Sequence, residues 1–310
     1  MLKVLFSARP PVWNEYRAPL AAGFAAAGLA VDLARDHAPP EVDYIVFAPN
    51  GPVTDFSPFT RCKAVMSLWA GVETVVHNAT LTQPLVRMVD PGLTAGMVEW
   101  VTGHVLRHHL GMDTHILGQD GIWRPDSFAP LARERPVTVL GIGALGAACG
   151  QALAALGFPV TGWSRSEKAV AGLRCLHGEA GLRAALEGAQ IVVLLLPDTA
   201  ATTEVLNAER LGWLARGAVI VNPGRGPLID DAALLAALDS GQVGHATLDV
   251  FRQEPLPAAH PFWAHPGVTV TPHIASTTRP DTAAERIAET IRDSEAGRPL
   301  QNLVDRAAGY

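Results

Sequence analysis

Across 310 residues the chain is 48% hydrophobic and 17% charged, with 24 basic against 30 acidic side chains and a formal charge of −6. That much apolar mass excludes an intrinsically disordered chain, and the length suits two domains of ordinary size. No basic stripe of the kind that grips nucleic acid is present, and the longest unbroken apolar run, Ile191 to Leu196, is far below the roughly 20 residues that span a bilayer.

In chain order, Lys3 to Phe6 predicts a first strand, Leu20 to Ala27 a helix, and Tyr44 to Ala48 and Ala64 to Leu68 two further strands. Gly96 to Leu110 predicts a helix. From Arg135 the pattern sharpens, with strands predicted at Val137 to Leu140, Val160 to Trp163, Ile191 to Leu196, Ala218 to Val221, Ala246 to Val250 and Val268 to Thr271. Helices are predicted between them at Leu145 to Leu156, Leu182 to Ala189, Thr203 to Leu214 and Asp231 to Leu238. Six buried strands alternating with helices predict an α/β protein with a doubly wound parallel sheet of the Rossmann type. Pro280 to Ala296 predicts a last helix and Arg298 to Tyr310 a tail. The apolar run that opens the chain, Met1 to Phe6, is too short for a signal peptide. Cys62, Cys149 and Cys175 are odd in number and form no CxxC, which predicts free thiols in a reducing cytoplasm.

The most informative short string is Gly141-Ile142-Gly143-Ala144-Leu145-Gly146. It follows a predicted strand and opens an Ala/Leu-rich helix, the context in which such glycines hold a dinucleotide pyrophosphate. Gly141 permits the turn, Gly143 admits the phosphates and Gly146 allows helix and strand to touch. The N–H groups of the helix N-terminus, at Ala144 and Leu145, face the phosphates. About 20 residues on, the second strand ends in Ser164-Arg165-Ser166, with Lys168 close behind, and carries no acidic residue at its tip. A carboxylate there would hold a ribose 2′-hydroxyl and repel a 2′-phosphate, whereas Arg165, helped by Ser164, Ser166 and Lys168, attracts the phosphate. The expected cofactor is therefore NADPH/NADP, with NADH as the less favoured alternative.

Three polar residues lie just beyond three successive predicted strands: Arg225 within Asn222-Pro223-Gly224-Arg225-Gly226, Glu254 within Asp249-Val250-Phe251-Arg252-Gln253-Glu254, and His273 within Thr271-Pro272-His273-Ile274-Ala275. Ligands of open α/β sheets bind outside the carboxyl ends of strands, so a cation, a carboxylate and an imidazole are delivered towards one crevice. An imidazole titrates near neutral pH and can give a proton to a carbonyl oxygen. A carboxylate on its other nitrogen orients the ring and favours its charged form. A guanidinium can clasp a substrate carboxylate and polarise the carbonyl.

Four segments in this order, Gly141–Gly146, Asn222–Asp230, Leu248–Pro257 and Thr271–Ser276, resemble motifs of the D-isomer-specific 2-hydroxyacid dehydrogenases, and among them most closely the bacterial glyoxylate/hydroxypyruvate reductases. The likeness extends over nearly the whole chain. It implies two doubly wound parallel-sheet domains: a Rossmann dinucleotide domain, residues 95–279, inserted into a smaller flavodoxin-like substrate domain of residues 1–94 plus 280–310. It also implies that Arg225, Glu254 and His273 are catalytic, and that Pro223, Gly224 and Ala275 lie against the cofactor.

The resemblance implies further roles. Trp69, Ala70 and Gly71 match a loop whose backbone amides hold substrate carboxylate, although the family pattern has glycine nearer Trp69 and aspartate at the position of Glu73. Trp69 is either a pocket wall or simple packing. Leu196, Pro197 and Thr202 match a loop that covers the cofactor, or form an ordinary strand exit. Asp249 either contacts the nicotinamide carboxamide or makes a structural hydrogen bond. His104 and His108 have the i,i+4 spacing of metal ligands, but with no third ligand evident and no metal in the family, none is expected here. The stretch from His108 to Trp123 is expected to serve homodimer contacts. The expected activity is NADPH-dependent reduction of glyoxylate and hydroxypyruvate in the cytoplasm. The alternatives are a relative acting on a different 2-keto acid and a non-catalytic nucleotide sensor.

Overall fold

The structure, a computed structural model, describes residues 1–126 and 128–309. The chain divides into two compact units, Met1–Leu93 with Thr277–Tyr310, and Thr94–Ser276.

The first unit contains β1 (Leu2–Ser7), α1 (Pro10–Ala26), β2 (Val31–Ala34), β3 (Tyr44–Phe47), β4 (Ala64–Ser67) and β5 (Leu85–Val86). Its strands are all parallel, in the flavodoxin-like order β2-β1-β3-β4-β5. The second unit runs through α2 (Pro91–His109, after its first turn), α3 (Met112–Ile116), β6 (Val137–Leu140), α4 (Ala144–Ala155), β7 (Val160–Ser164), β8 (Arg174–His177) and α5 (Gly178–Leu186). It continues with β9 (Ile191–Leu194), α6 (Ala208–Leu211), β10 (Ala218–Asn222), α7 (Asp231–Asp239), β11 (Val243–Leu248) and β12 (Val268–Val270). The closing helix α8 (Pro280–Glu295) returns to the first unit.

The second sheet is also wholly parallel, in the order β12-β11-β10-β9-β6-β7-β8. Strand order reverses between β6 and β9, the switch point at which such sheets bind ligands. The strands in the middle are β-branched and buried on both faces: Ile191, Val192, Val193 and Leu194 are fully buried. One face packs on α2 and α4 through Met97, Val101, Val105, Cys149 and Leu153, the other on α5, α6 and α7 through Leu186, Leu211 and Leu234. Each such aliphatic side chain, fully buried, contributes roughly 1.5–3 kcal/mol.

Several elements differ from the sequence reading. The second sheet has seven strands rather than six, because β8 has the mixed string Arg174-Cys175-Leu176-His177 and its ends are exposed. β2 and the two-residue β5 carry similarly weak patterns. α1 starts ten residues before the expected Leu20, since Pro10 and Pro11 occupy the first helical positions, where proline costs no hydrogen bond. Pro19 is tolerated inside it because Tyr16, Leu20 and Phe24 are buried in the core that α1 shares with α8. α2 starts at Pro91 rather than Gly96, with the Asp90 carboxylate accepting from Leu93 N–H at 3.0 Å. The helix expected over Thr203–Leu214 is reduced to α6. Thr202 and Thr203 spend their hydroxyls on the carbonyls of Pro197 and Thr199, Glu204 takes φ +53°, and Asn207 then caps the short helix. The C-terminal tail is not loose: Val304 N–H donates to Leu85 O at 2.8 Å and the Arg306 guanidinium donates to the carbonyls of Val76, Asn78 and Leu81. The expected tail ends at Tyr310, which lies outside the described residues.

Candidate active site

The glycine loop sits at the switch point. Gly141 has φ +99°, and a Cβ there would lie 2.5 Å from the Leu195 carbonyl oxygen. A Cβ at Gly146 would lie 1.8 Å from the Gly141 carbonyl oxygen, so α4 can approach β6 this closely only without a side chain. Around Gly143 the space is open, with nothing within 4 Å of a Cβ. Gly143 is also the N-cap of α4 and supplies no side-chain cap. Gly143 and Ala144 are exposed at this uncapped helix start, which leaves the N-terminal end of the α4 dipole accessible and fits the pyrophosphate of a dinucleotide.

At the end of β7, Ser164 is buried and its hydroxyl donates to Ser166 O at 2.7 Å, turning the chain. Arg165, Ser166 and Lys168 are exposed beyond it. After β9, Leu196 is buried, and the loop closes on Thr202, whose hydroxyl donates to Pro197 O at 2.7 Å and accepts from Thr199 N–H at 2.9 Å.

The ends of β10, β11 and β12 are in register, with Asn222 opposite Leu248 and Leu248 opposite Val270. Their exit loops consequently leave the sheet side by side. Asn222 is buried, its amide donating to Arg225 O at 2.9 Å and accepting from Gly224 N–H at 3.1 Å. This locks the Pro223–Gly224–Arg225 turn, and the half-buried Arg225 donates to Gly224 O at 2.7 Å. A Cβ at Gly226 would lie 2.0 Å from the Phe251 carbonyl carbon, so the turns after β10 and β11 are in direct contact.

Glu254 accepts from Phe251 N–H at 2.9 Å through Oε1, and its Oε2 lies 2.7 Å from His273 Nδ1. The two side chains are 36% and 53% exposed, which leaves the second imidazole nitrogen, Nε2, within reach of a ligand. His273 has φ +54°, a left-handed conformation that costs a non-glycine residue roughly 1–3 kcal/mol and needs outside support. Asp249 gives that support. It is fully buried; its backbone carbonyl accepts from His273 N–H at 2.8 Å, Oδ1 accepts from the Thr271 hydroxyl at 2.6 Å and Ile274 N–H at 2.9 Å, and Oδ2 accepts from Ala275 N–H at 2.9 Å. The structural hydrogen bonds expected as one reading of Asp249 are present, and its contact with the nicotinamide carboxamide stays an expectation of the resemblance. Asn222 and Thr271 escape the sequence reading, although an Asn before Pro at a strand end is a turn signal.

Trp69, Ala70 and Gly71 belong to the other unit, just past β4. Trp69 is 41% exposed; its N–H donates to Ser67 Oγ at 3.0 Å and its carbonyl accepts from Met88 N–H at 3.1 Å. Burial pushes the thiols of Cys62 and Cys149 up to about 12, which disfavours thiolate chemistry at these two residues at neutral pH. No described helix is long and apolar enough to cross a membrane.

The sequence profile of the D-isomer-specific 2-hydroxyacid dehydrogenase NAD-binding domain matches residues 102–275. Glyoxylate/hydroxypyruvate reductase A of Yersinia enterocolitica is 40% identical over 257 residues, 80% of this chain and 82% of that protein. The D-isomer-specific 2-hydroxyacid dehydrogenase of Xanthobacter autotrophicus Py2, solved with NADPH and MES, is 42% identical with a TM-score of 0.92 and covers 100% of this chain and 99% of its own. The NADPH-dependent glyoxylate/hydroxypyruvate reductase of Sinorhizobium meliloti, solved with NADP and sulfate, is 36% identical with a TM-score of 0.88 and full coverage of both chains, 100% each. With its glycine loop, its parallel sheets and these likenesses together, the chain belongs to the D-isomer-specific 2-hydroxyacid dehydrogenase family of oxidoreductases.

Proposed function

We propose that the protein reduces small 2-keto acids with NADPH, glyoxylate to glycolate and hydroxypyruvate to D-glycerate. The observation that carries this reading is the 2.7 Å pairing of Glu254 with His273 beyond the carboxyl ends of the sheet that also bears the glycine loop. A bound nicotinamide supplies the hydride. His273 gives a proton to the substrate carbonyl oxygen from Nε2, while Glu254 holds Nδ1 and stabilises the imidazolium. Arg225 pairs with the substrate carboxylate and polarises the ketone, and Asp249 keeps the His273 backbone in place. Roles for Trp69, Ala70 and Gly71 in holding carboxylate rest on the resemblance of their loop, as do cofactor contacts for Leu196, Pro197, Thr202, Pro223, Gly224 and Ala275. An acid–base pair is superfluous in a nucleotide sensor, which favours the enzyme.

The direct test is an initial-rate panel of NADPH and NADH over glyoxylate, hydroxypyruvate and pyruvate. NADPH oxidation is expected with the first two acids; background rates with every acid would remove the proposal. Arg165→Ala should lower kcat/KM for NADPH roughly tenfold and leave NADH nearly unchanged, the loss expected for one charge-assisted hydrogen bond to phosphate. A wild-type preference for NADH would refute the 2′-phosphate assignment.

The Glu254 pairing has its own signature. Glu254→Gln removes the carboxylate that holds His273 Nδ1, so kcat for keto-acid reduction should fall roughly tenfold while NADPH binding changes little. An unchanged kcat would show that Glu254 does not act through His273.

We also propose a homodimer in the cytoplasm. Ile116, Leu117, Ile122, Trp123 and Phe128 are exposed along one segment, Trp123 by 90%, an apolar surface suited to a second copy. Light scattering should give the mass of two chains.

A further inference from the structure

We propose that His108, Asp113 and His245 form a site for a divalent transition-metal ion of the zinc or nickel class, separate from the residues assigned to reduction. One nitrogen of each ring and one carboxylate oxygen all lie within 4.8 Å of one another, and all three residues are half-buried. The i,i+4 spacing of His104 and His108 offers no such set by itself. The fold completes it: the chain turns at Gly111, with φ +62°, and brings Asp113 of α3 back to the end of α2, while β11 carries His245 beneath them.

The donor set is two imidazoles and a carboxylate, which suits zinc, nickel or copper; magnesium and calcium prefer oxygen alone. The site assigns Nδ1 of each ring to the ion, because Nε2 of each already has a threonine partner. His108 Nε2 lies 2.8 Å from Thr247 Oγ1, and His245 Nε2 lies 2.9 Å from Thr269 Oγ1. Partners of this kind fix the ring orientation of metal-binding histidines. The rings are close, with centroids 4.7 Å apart. Asp113 is gripped by Arg107 at 2.7 and 2.8 Å, yet a carboxylate has about four acceptor positions and retains room for a metal. Zinc–nitrogen bonds of about 2.0–2.1 Å place tetrahedral ligand atoms about 3.4 Å apart, so donors that lie within 4.8 Å of one another close in by at most about 1.4 Å on binding. A bound ion would clamp the α2–α3 corner onto β11.

The test is calorimetric titration of the chelator-treated full chain with zinc chloride, alongside His245→Ala and His108→Gln. Wild type should bind one ion at least tenfold more tightly than either variant, and zinc should raise its Tm but not theirs. Cobalt(II) added to wild type should give the intense visible absorption of a four-coordinate ion. Equal zinc affinity in wild type and His245→Ala, or an aquo-ion cobalt spectrum in wild type, would overturn the site. Zinc uptake by His273→Asn should match wild type, so the outcome is independent of whether the chain is a reductase.

Discussion

His273→Asn should lower kcat for keto-acid reduction by roughly 10²–10⁴-fold, the range for removing a positioned general acid. NADPH affinity, read by fluorescence titration, should stay within about twofold, because the side chain is assigned to the substrate carbonyl and not to the cofactor. The expectation is specific to the side chain. The His273 backbone is held by Asp249 whatever the residue carries, and asparagine is among the residues that adopt a left-handed conformation most readily. The loop should therefore survive the substitution while the proton donor is lost. A variant retaining more than about a tenth of wild-type kcat would place the acid elsewhere.

Arg225→Ala should lower kcat/KM for glyoxylate by roughly 10²–10³-fold, since it removes both a charge-assisted grip on the carboxylate and a cation beside the developing charge. The turn that carries Arg225 is also held by the Asn222 amide through backbone atoms of Gly224 and Arg225, a lock that remains when the guanidinium and its bond to the Gly224 carbonyl are removed. NADPH binding should accordingly change little. Equal losses in keto-acid turnover and NADPH binding would mean that Arg225 shapes the cofactor site instead. Arg225→Lys should recover only part of the loss, because an ammonium cannot pair with a carboxylate in two-pronged fashion.

Much of the fold and of the site is legible along the chain. The strands Val137–Leu140 and Ile191–Leu194 are continuous apolar or β-branched runs buried on both faces, and the glycine loop announces itself by its place between a strand and a helix. Arg225, Glu254 and His273 stand out because each follows a strand of a parallel sheet, where ligands bind. β8 and the Thr203–Leu214 stretch mislead for the same reason in opposite directions. At β8 pairing with β7 overrides a mixed local pattern, and after Pro197 threonine hydroxyls and the backbone of Glu204 override a helical one.

The class of fold and the chemical types available at the strand ends can be read from the order of residues alone, because alternation of apolar runs and the spacing of glycines are local properties. Which groups meet is a matter of three-dimensional packing. The 2.7 Å contact of Glu254 with His273, the Asp249 hydrogen bonds that hold His273 at positive φ, and the gathering of His108, Asp113 and His245 join residues from different strands, loops and helices. Such contacts follow from strand register and helix packing, which depend on the burial of the whole apolar surface and leave no trace in any short stretch of chain.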